Sequence, residues 1–401
     1  IERLGRTEFR INPANGQVET PEWLKDPVPL GFGTYQFGVG GLHSTHDKSL
    51  HVESTEDVLI SDFDVASYYP NIMLKAGLTP RLEGGARFIA EYEKIYKKRM
   101  EAKHTGNKKV ADALKISLNG TFGKLGSPYS AFYSPDLMLA VTLTGQLNLA
   151  CLIYDLEFNP NIKVLSANTD GIMVQYPARL RDKVLRKIAE NAERTGFEYE
   201  ETPYSSVSMK DVNNYLAVTT DGKVKRKGLY AATSLMKNPT NSVCSNMAVD
   251  YLTSGTHPSV SIEKYTDIRD FVAIRVVKGG GVVYDRMEEV DDWVQVADRE
   301  WRRQEWIDTG STRASVKRVS RPKPVEVGIG GTRFGRIARW YMSTDAGLPI
   351  NYLGSGNKVP KTDGAKLCMN LPSSLPVDID KQWYINETIS MLSDMGVTVA
   401  E

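Results

Sequence analysis

A chain of 401 residues with 50 Lys and Arg against 49 Asp and Glu carries a formal charge of +1, and 41% of its residues are apolar. That is sequence for two or three domains of roughly 150 residues each, and the ordinary composition excludes a disordered, collagen-like or low-complexity chain. Cys151, Cys244 and Cys368 stand far apart with no CxxC spacing, which excludes a disulfide framework or cysteine zinc site and fits a reducing compartment.

The chain opens on Ile1, and residues 2–6 lack the apolar core of a signal peptide. Residue 1 is therefore expected not to be the biological start. Up to residue 57 the sequence reads as loops and short hairpins, with Gly38-Val39-Gly40-Gly41 among them. Residues 58–64 predict a short strand, and Tyr69-Pro70-Asn71 is expected to break the chain before a short helix from Ile72. Residues 88–103 and 108–124 predict two helices, each about 25 Å long, joined where Gly106 ends one and Asn107 caps the next.

Residues 137–154 carry no charge, and about 18 such residues can signal a membrane span. Thr142, Thr144, Gln146 and Asn148 would be costly against lipid, so a buried helix of a soluble protein is predicted. Strands at 162–166 and 172–176 flank the turn Asn168-Thr169-Asp170-Gly171. A helix at 179–195 follows, and strands at 215–218 and 223–229 flank a second turn. From about 231 the sequence predicts helices with Gly-rich connections, and Arg321-Pro322-Lys323-Pro324 reads as a linker. Residues 301–340 hold ten basic and three acidic residues, a surface suited to phosphate backbones.

Asp64 and Asp170 are the acidic residues at strand ends beside irregular backbone, and such a pair can hold divalent metal. Asp64-Val65-Ala66-Ser67-Tyr68-Tyr69-Pro70 resembles motif A, DxxSLYP, of family B DNA polymerases, with Tyr68 for leucine. Asn168-Thr169-Asp170 resembles their motif C, DTD, with Asn168 for the first Asp. Lys115, Asn119, Phe122 and Gly123 resemble motif B, KxxxNxxYG, with Phe122 for tyrosine, and Arg99 with Lys103 resembles the RxxxK pair of the fingers. Asn213-Asn214-Tyr215 stands in place of KxY, with Asn213 for lysine. Lys225-Arg226-Lys227-Gly228 is similar to KxKG, and Gly38 to Gly41 to YxGG without its tyrosine.

The resemblance implies an α+β right-hand polymerase with a palm of antiparallel strands, a two-helix fingers hairpin and a mixed thumb. The expected divisions are a pre-palm segment at 1–57, palm at 58–87, fingers at 88–125, palm at 126–232, and thumb and C-terminal region at 233–401. It implies Asp64 and Asp170 as catalytic residues, with Val65 joining them as metal ligands for two Mg²⁺ ions, for which Mn²⁺ can substitute. Ser67, Tyr68, Tyr69, Arg99, Lys103, Lys115 and Asn119 would bind the nucleotide, Tyr69 as the sugar gate. Gly40, Gly41, Thr169, Tyr215, Lys225, Lys227 and Gly228 would bind DNA.

The implied reaction is template-directed transfer of deoxynucleotides from dNTPs to a primer 3′-hydroxyl. The short intervals between motifs suit nucleic-acid rather than protein primers. Two alternatives stay open: a catalytically weakened DNA-binding subunit, and another palm-type polymerase such as a primase or reverse transcriptase. Implied partners are primer-template DNA, dNTP, and an exonuclease on a separate polypeptide or an upstream domain, since about 60 residues before Asp64 are too few for that domain. Asp155-Leu156-Glu157 matches the exonuclease DxE by letter alone. A cytoplasmic protein is expected, in a bacterial host if phage-encoded, with no membrane partner.

Overall fold

Strand β5 (Val58–Val65) holds the centre of the first of two units, and its alternation decides which side chains face which side. Phe63 and Val65 join the largest apolar cluster, while Asp62 and Asp64, two residues apart, share the opposite face. This computed structural model describes residues 8–45, 49–80, 85–231, 240–277, 281–310, 316–346 and 348–400. The first unit comprises Ile1–Tyr230 and Asp394–Thr398, the second Ala231–Ser393 and Val399–Glu401.

The first unit's sheet is antiparallel throughout. Its other strands are β1 (Val28–Leu30), β2 (Gly33–Gln36), β3 (His43–Ser44), β4 (Leu50–Glu53), β6 (Lys163–Asn168), β7 (Gly171–Pro177), β8 (Tyr199–Asp211), β9 (Asn214–Thr219) and β10 (Val224–Lys227). The order is β1-β2-β3-β6-β7-β5-β8-β9-β10, with β4 paired to β8. Asp64 stands opposite Gly171 of β7 and Glu200 of β8.

Helix α1 (Tyr68–Lys75) begins earlier than expected and contains Pro70. A proline in the first turn removes an N–H that would have no intrahelical partner, so it starts the helix instead of breaking it. Helices α2 (Gly85–His104) and α3 (Lys108–Lys124) form a hairpin. Gly106 takes φ +74° at its bend, and Asn107 Oδ1 accepts the Val110 N–H.

Helix α4 (Pro135–Glu157) is long and apolar enough to cross a membrane by length and composition, and half of its apolar window is buried. Leu149, Leu152 and Ile153 are buried in the apolar cluster shared with the sheet. The polar side chains along it have partners. Gln146 bonds the Gly38 N–H and C=O, and Asn148 donates to the Tyr68 and Tyr199 hydroxyls. At its end Glu157 accepts the Phe32 N–H at 2.9 Å and the Val164 N–H at 2.8 Å, a clamp between the β1–β2 hairpin and β6. Helix α5 (Arg181–Thr195) adds Val184 and Ile188 to the same cluster.

The second unit corrects the expectation of helices with Gly-rich connections by adding strands to the helices: among the described residues they form three three-stranded sheets. Its core joins Val243 and Met247 of the helix Ser242–Ser254, Phe271, Trp340 of the strand Ile337–Met342, and Tyr384 of the helix Lys381–Ser393. The Tyr384 hydroxyl donates to the Phe271 carbonyl and accepts the Met342 N–H. Arg321 to Pro324 lies inside this unit and is no linker. Arg321 pairs with Asp291 at 3.1 Å, and the Trp293 indole donates to the Lys323 carbonyl. Of the basic stretch, Lys317, Arg318, Arg321, Lys323, Arg333 and Arg336 are exposed, Arg303 pairs with Asp292, and Arg313 lies outside the described residues.

The Glu157 clamp is testable. Glu157→Ala leaves two backbone donors without partners, each costing about 1–3 kcal/mol. Thermal unfolding should show a midpoint several degrees lower, and an unchanged midpoint would mean that water replaces the clamp.

Candidate active site

Asp64 stands near the end of β5 on the face opposite the largest apolar cluster, and Asp170 sits in the turn that returns β6 into β7. The ladder brings them side by side: the Val65 N–H donates to the Asp170 carbonyl at 2.8 Å. Gly171 is required between them, because a Cβ there would lie 2.1 Å from Asp64 Oδ1 and 3.0 Å from the Phe63 carbonyl. A cleft of about 830 Å³ opens over this pair.

Two residues beside the aspartates occupy the left-handed region. Ser67 has φ 51° and Thr169 has φ 65°; each such conformation costs on the order of 1–3 kcal/mol and persists only where its surroundings enforce it. The Thr169 N–H donates to the Leu42 carbonyl, and the Ser67 carbonyl accepts the Asn71 N–H that starts α1. Ser67 Oγ is buried without a partner among the described residues.

The opposite wall is the helical hairpin. Arg99, Lys103, Lys108, Lys115, Asn119 and Phe122 line it. Arg99 is buried, and its Nε and Nη1 have no hydrogen-bond partner among the described residues; burial lowers its pKa from the usual value. Lys103 is paired with Glu200, a residue the sequence reading did not single out.

Tyr69 lies between the walls. Its ring packs on Phe122 with centroids 4.5 Å apart, and its hydroxyl donates to the Gly40 carbonyl at 2.5 Å. Tyr68 turns the other way: its ring is buried and its hydroxyl donates to the Gly145 carbonyl. A Cβ at Gly145 would stand 3.0 Å from that ring, so a glycine on α4 makes room for the tyrosine.

Of the residues the sequence grouped, Asp64, Val65, Ser67, Tyr68, Tyr69, Arg99, Lys103, Lys115, Asn119, Thr169, Tyr215, Lys225 and Lys227, together with Asp170, line this one cleft. Gly40, Gly41 and Gly228 do not. Gly41 stands against Thr169 and the Tyr69 hydroxyl, and Gly228 follows β10 at φ +63°. Lys225, expected on DNA, points its ammonium at Asp62 (2.9 Å) and Asp64 (3.6 Å). Asn168 donates to the Val212 carbonyl, and its Nδ2 lies 3.4 Å from Asn213 Oδ1. The two departures from the motif pattern thus meet each other.

Asp62 was missed, although its place two residues before Asp64 puts it on the same strand face. Glu200 was missed because only the pairing of β5 with β8 places it there. Among the described residues no group of three or more His, Cys, Asp or Glu side chains is arranged to hold an ion. Asp64 and Asp170 bring two carboxylates to the cleft.

Charge in the cleft is unevenly compensated. The surface of Asp170 is open to the cleft, but the surrounding walls displace solvent from its carboxyl. That burial, with the charge of Asp64 added, raises its pKa to about 6 against the pull of Lys115 and Lys227. Burial opposes the Lys225 charge, yet Asp62 and Asp64 outweigh it and hold this ammonium above its ordinary range. Lys227 is lowered by burial and by Lys225.

No family model matches the chain. Its sequence is 25% identical over 187 residues to DNA polymerase 1 of Sulfolobus acidocaldarius, covering 45% of this chain and 21% of that protein. It is 27% identical over 237 residues to the DNA polymerase of Thermococcus gorgonarius, covering 55% and 30%. The chain is related to DNA polymerases. It is also 35% identical over 78 residues to the DNA polymerase alpha catalytic subunit of Leishmania donovani, covering 19% and 6%. The chain thus spans less than a third of the length of these curated relatives. Among solved structures, the family B DNA polymerase of Pyrobaculum calidifontis aligns with a TM-score of 0.44 at 14% identity, over 96% of this chain and 49% of that one.

The Asp170 titration is testable on the protein alone. Carbon-13 NMR should place its carboxyl near pH 6, and Asp64→Asn should move it down by removing the like charge. Because the folded value lies above the ordinary one, its stabilising contribution is full below about pH 4 and is lost as pH rises through about 6. A titration at the ordinary carboxylate value, unmoved by Asp64→Asn, would contradict this account.

Proposed function

We propose that this chain carries a template-directed DNA polymerase site with a palm in the first unit and fingers in the α2–α3 hairpin. The observation that carries the reading is the register of β5 with β7, which sets Asp64 beside Asp170 across a cleft from Arg99 and Lys115. The oxygen ligands of Asp64, Asp170 and the Val65 carbonyl suit Mg²⁺ or Mn²⁺, which when bound would supply charge neutralisation at the attacking and leaving oxygens.

The chain's own residues do the rest. Arg99, with two unpartnered nitrogens, can bond phosphate oxygens bidentately, while Lys115 acts as a point charge. Lys103 joins them on leaving Glu200. Ser67 and the backbone at Tyr68, which line the cleft, would face the same phosphates. Tyr69, held by Phe122 and Gly40, fills the space under the sugar, so that a 2′-hydroxyl meets its ring. Tyr215, Lys227 and Thr169 line the side from which the primer terminus approaches. The primer 3′-oxygen forms a bond to the α-phosphorus, the α–β bridging P–O bond breaks, pyrophosphate leaves, and the hydroxyl proton passes to solvent. Positioning and fixed charge lower the barrier.

Primer extension with Mg²⁺ and dNTPs tests the reading. Asp170→Ala should slow extension by about three powers of ten or more, each power being about 1.4 kcal/mol; a mild loss would remove Asp170 from the site. Tyr69→Ala should admit ribonucleotides, and unchanged sugar discrimination would take Tyr69 out of the gate.

A further inference from the structure

A third carboxylate shares the face of β5 with Asp64. Asp62 is buried, and its Oδ2 accepts from Lys225 Nζ at 2.9 Å and from the Tyr204 hydroxyl at 3.2 Å. The same ammonium lies 3.6 Å from Asp64 Oδ2. Lys225 enters from β10, three strands from β5 in the sheet. The side chain of Asp62 is 8% exposed and that of Asp64 is 44% exposed, so the closer partner is also the one that cannot meet solvent cations.

A buried carboxylate is costly unless an opposite charge and hydrogen bonds compensate it, and Lys225 with Tyr204 does so for Asp62. The arrangement has a consequence for Asp64. An ammonium within reach of an open carboxylate competes with any cation that would bind there, and the attraction of Asp62 draws that ammonium back. We propose that Asp62 is a positioning residue: it holds the Lys225 ammonium off Asp64 and so leaves Asp64 available to a divalent cation. This rests on the reading of Asp64 as a cation ligand.

The test is Mn²⁺ binding to the full chain, followed by the electron paramagnetic resonance of free Mn²⁺, with thermal unfolding run on every variant. Asp62→Asn keeps a partner for Tyr204 but releases Lys225 onto Asp64, and should weaken Mn²⁺ binding about tenfold, given charges about 4 Å apart in a partly screened site. Lys225→Met removes the competitor and should bind Mn²⁺ at least as tightly as the wild type. The double variant should bind like Lys225→Met, a rescue that a purely structural ion pair would not give.

Unchanged binding by Asp62→Asn, a double variant as weak as Asp62→Asn, or weaker binding by Lys225→Met would each overturn the proposal. Lys225→Met and the double variant decide the matter if Asp62→Asn fails to fold. Failure of the underlying reading looks different: wild-type Mn²⁺ binding would then be insensitive to Asp64→Asn, and both inferences would fall together.

Discussion

The site depends on one antiparallel register. Asp64 and Asp170 are more than a hundred residues apart in sequence, and neither can work on the other without the ladder that sets Asp64 against Gly171. The ladder also forbids a side chain at that position, since a Cβ would strike the Asp64 carboxylate and crowd the Phe63 carbonyl. A one-residue slip of β5 would send both of its carboxylates into the apolar cluster and Phe63 into the cleft. The burial of Phe63 and Val65 in the apolar cluster that residues of α4 and α5 also join therefore fixes which face of β5 carries the carboxylates.

Charge is the second constraint. Three carboxylates on or beside β5 and β7 would repel one another, and the structure balances them unequally. Asp62 holds the Lys225 ammonium closest, at 2.9 Å against 3.6 Å from Asp64, while the charge of Asp64 still raises the pKa of Asp170. On the proposed reading, this uneven balance is what would draw a cation to Asp64 and Asp170. Across the cleft Arg99 is buried with two nitrogens that have no partner among the described residues, a costly state for a guanidinium.

Much of this was legible in the sequence. The apolar content of residues 58–64 gave β5, the spacing of Lys115, Asn119 and Phe122 gave one face of α3, and Gly106 with Asn107 gave the bend between the hairpin's arms. What escaped had physical reasons. Pro70 reads as a breaker, yet in a first helical turn it costs nothing. Beyond residue 231 several strands are joined through glycines, as at Gly310 and Gly335, and the helices Ser242–Ser254 and Lys381–Ser393 are also present, so a helix reading competed well. Arg321 to Pro324 has the composition of a linker, and its attachment to Asp291 and Trp293 depends on tertiary contacts that no local pattern announces. Lys103 and Lys225 meet carboxylates on strands remote from them in sequence, so composition could identify the cations but not which carboxylates they would meet. The meeting of Asn168 with Asn213 is of the same kind.

The central claim is that Asp64 and Asp170 bind cations together as one site. The most direct measurement is carbon-13 NMR of labelled aspartate carboxylates during addition of Mn²⁺ to the chain with primer-template and dNTP. Paramagnetic broadening of the Asp64 and Asp170 signals at the same Mn²⁺ concentration is the result expected. Broadening of only one, or of neither while exposed surface carboxylates broaden first, would contradict it.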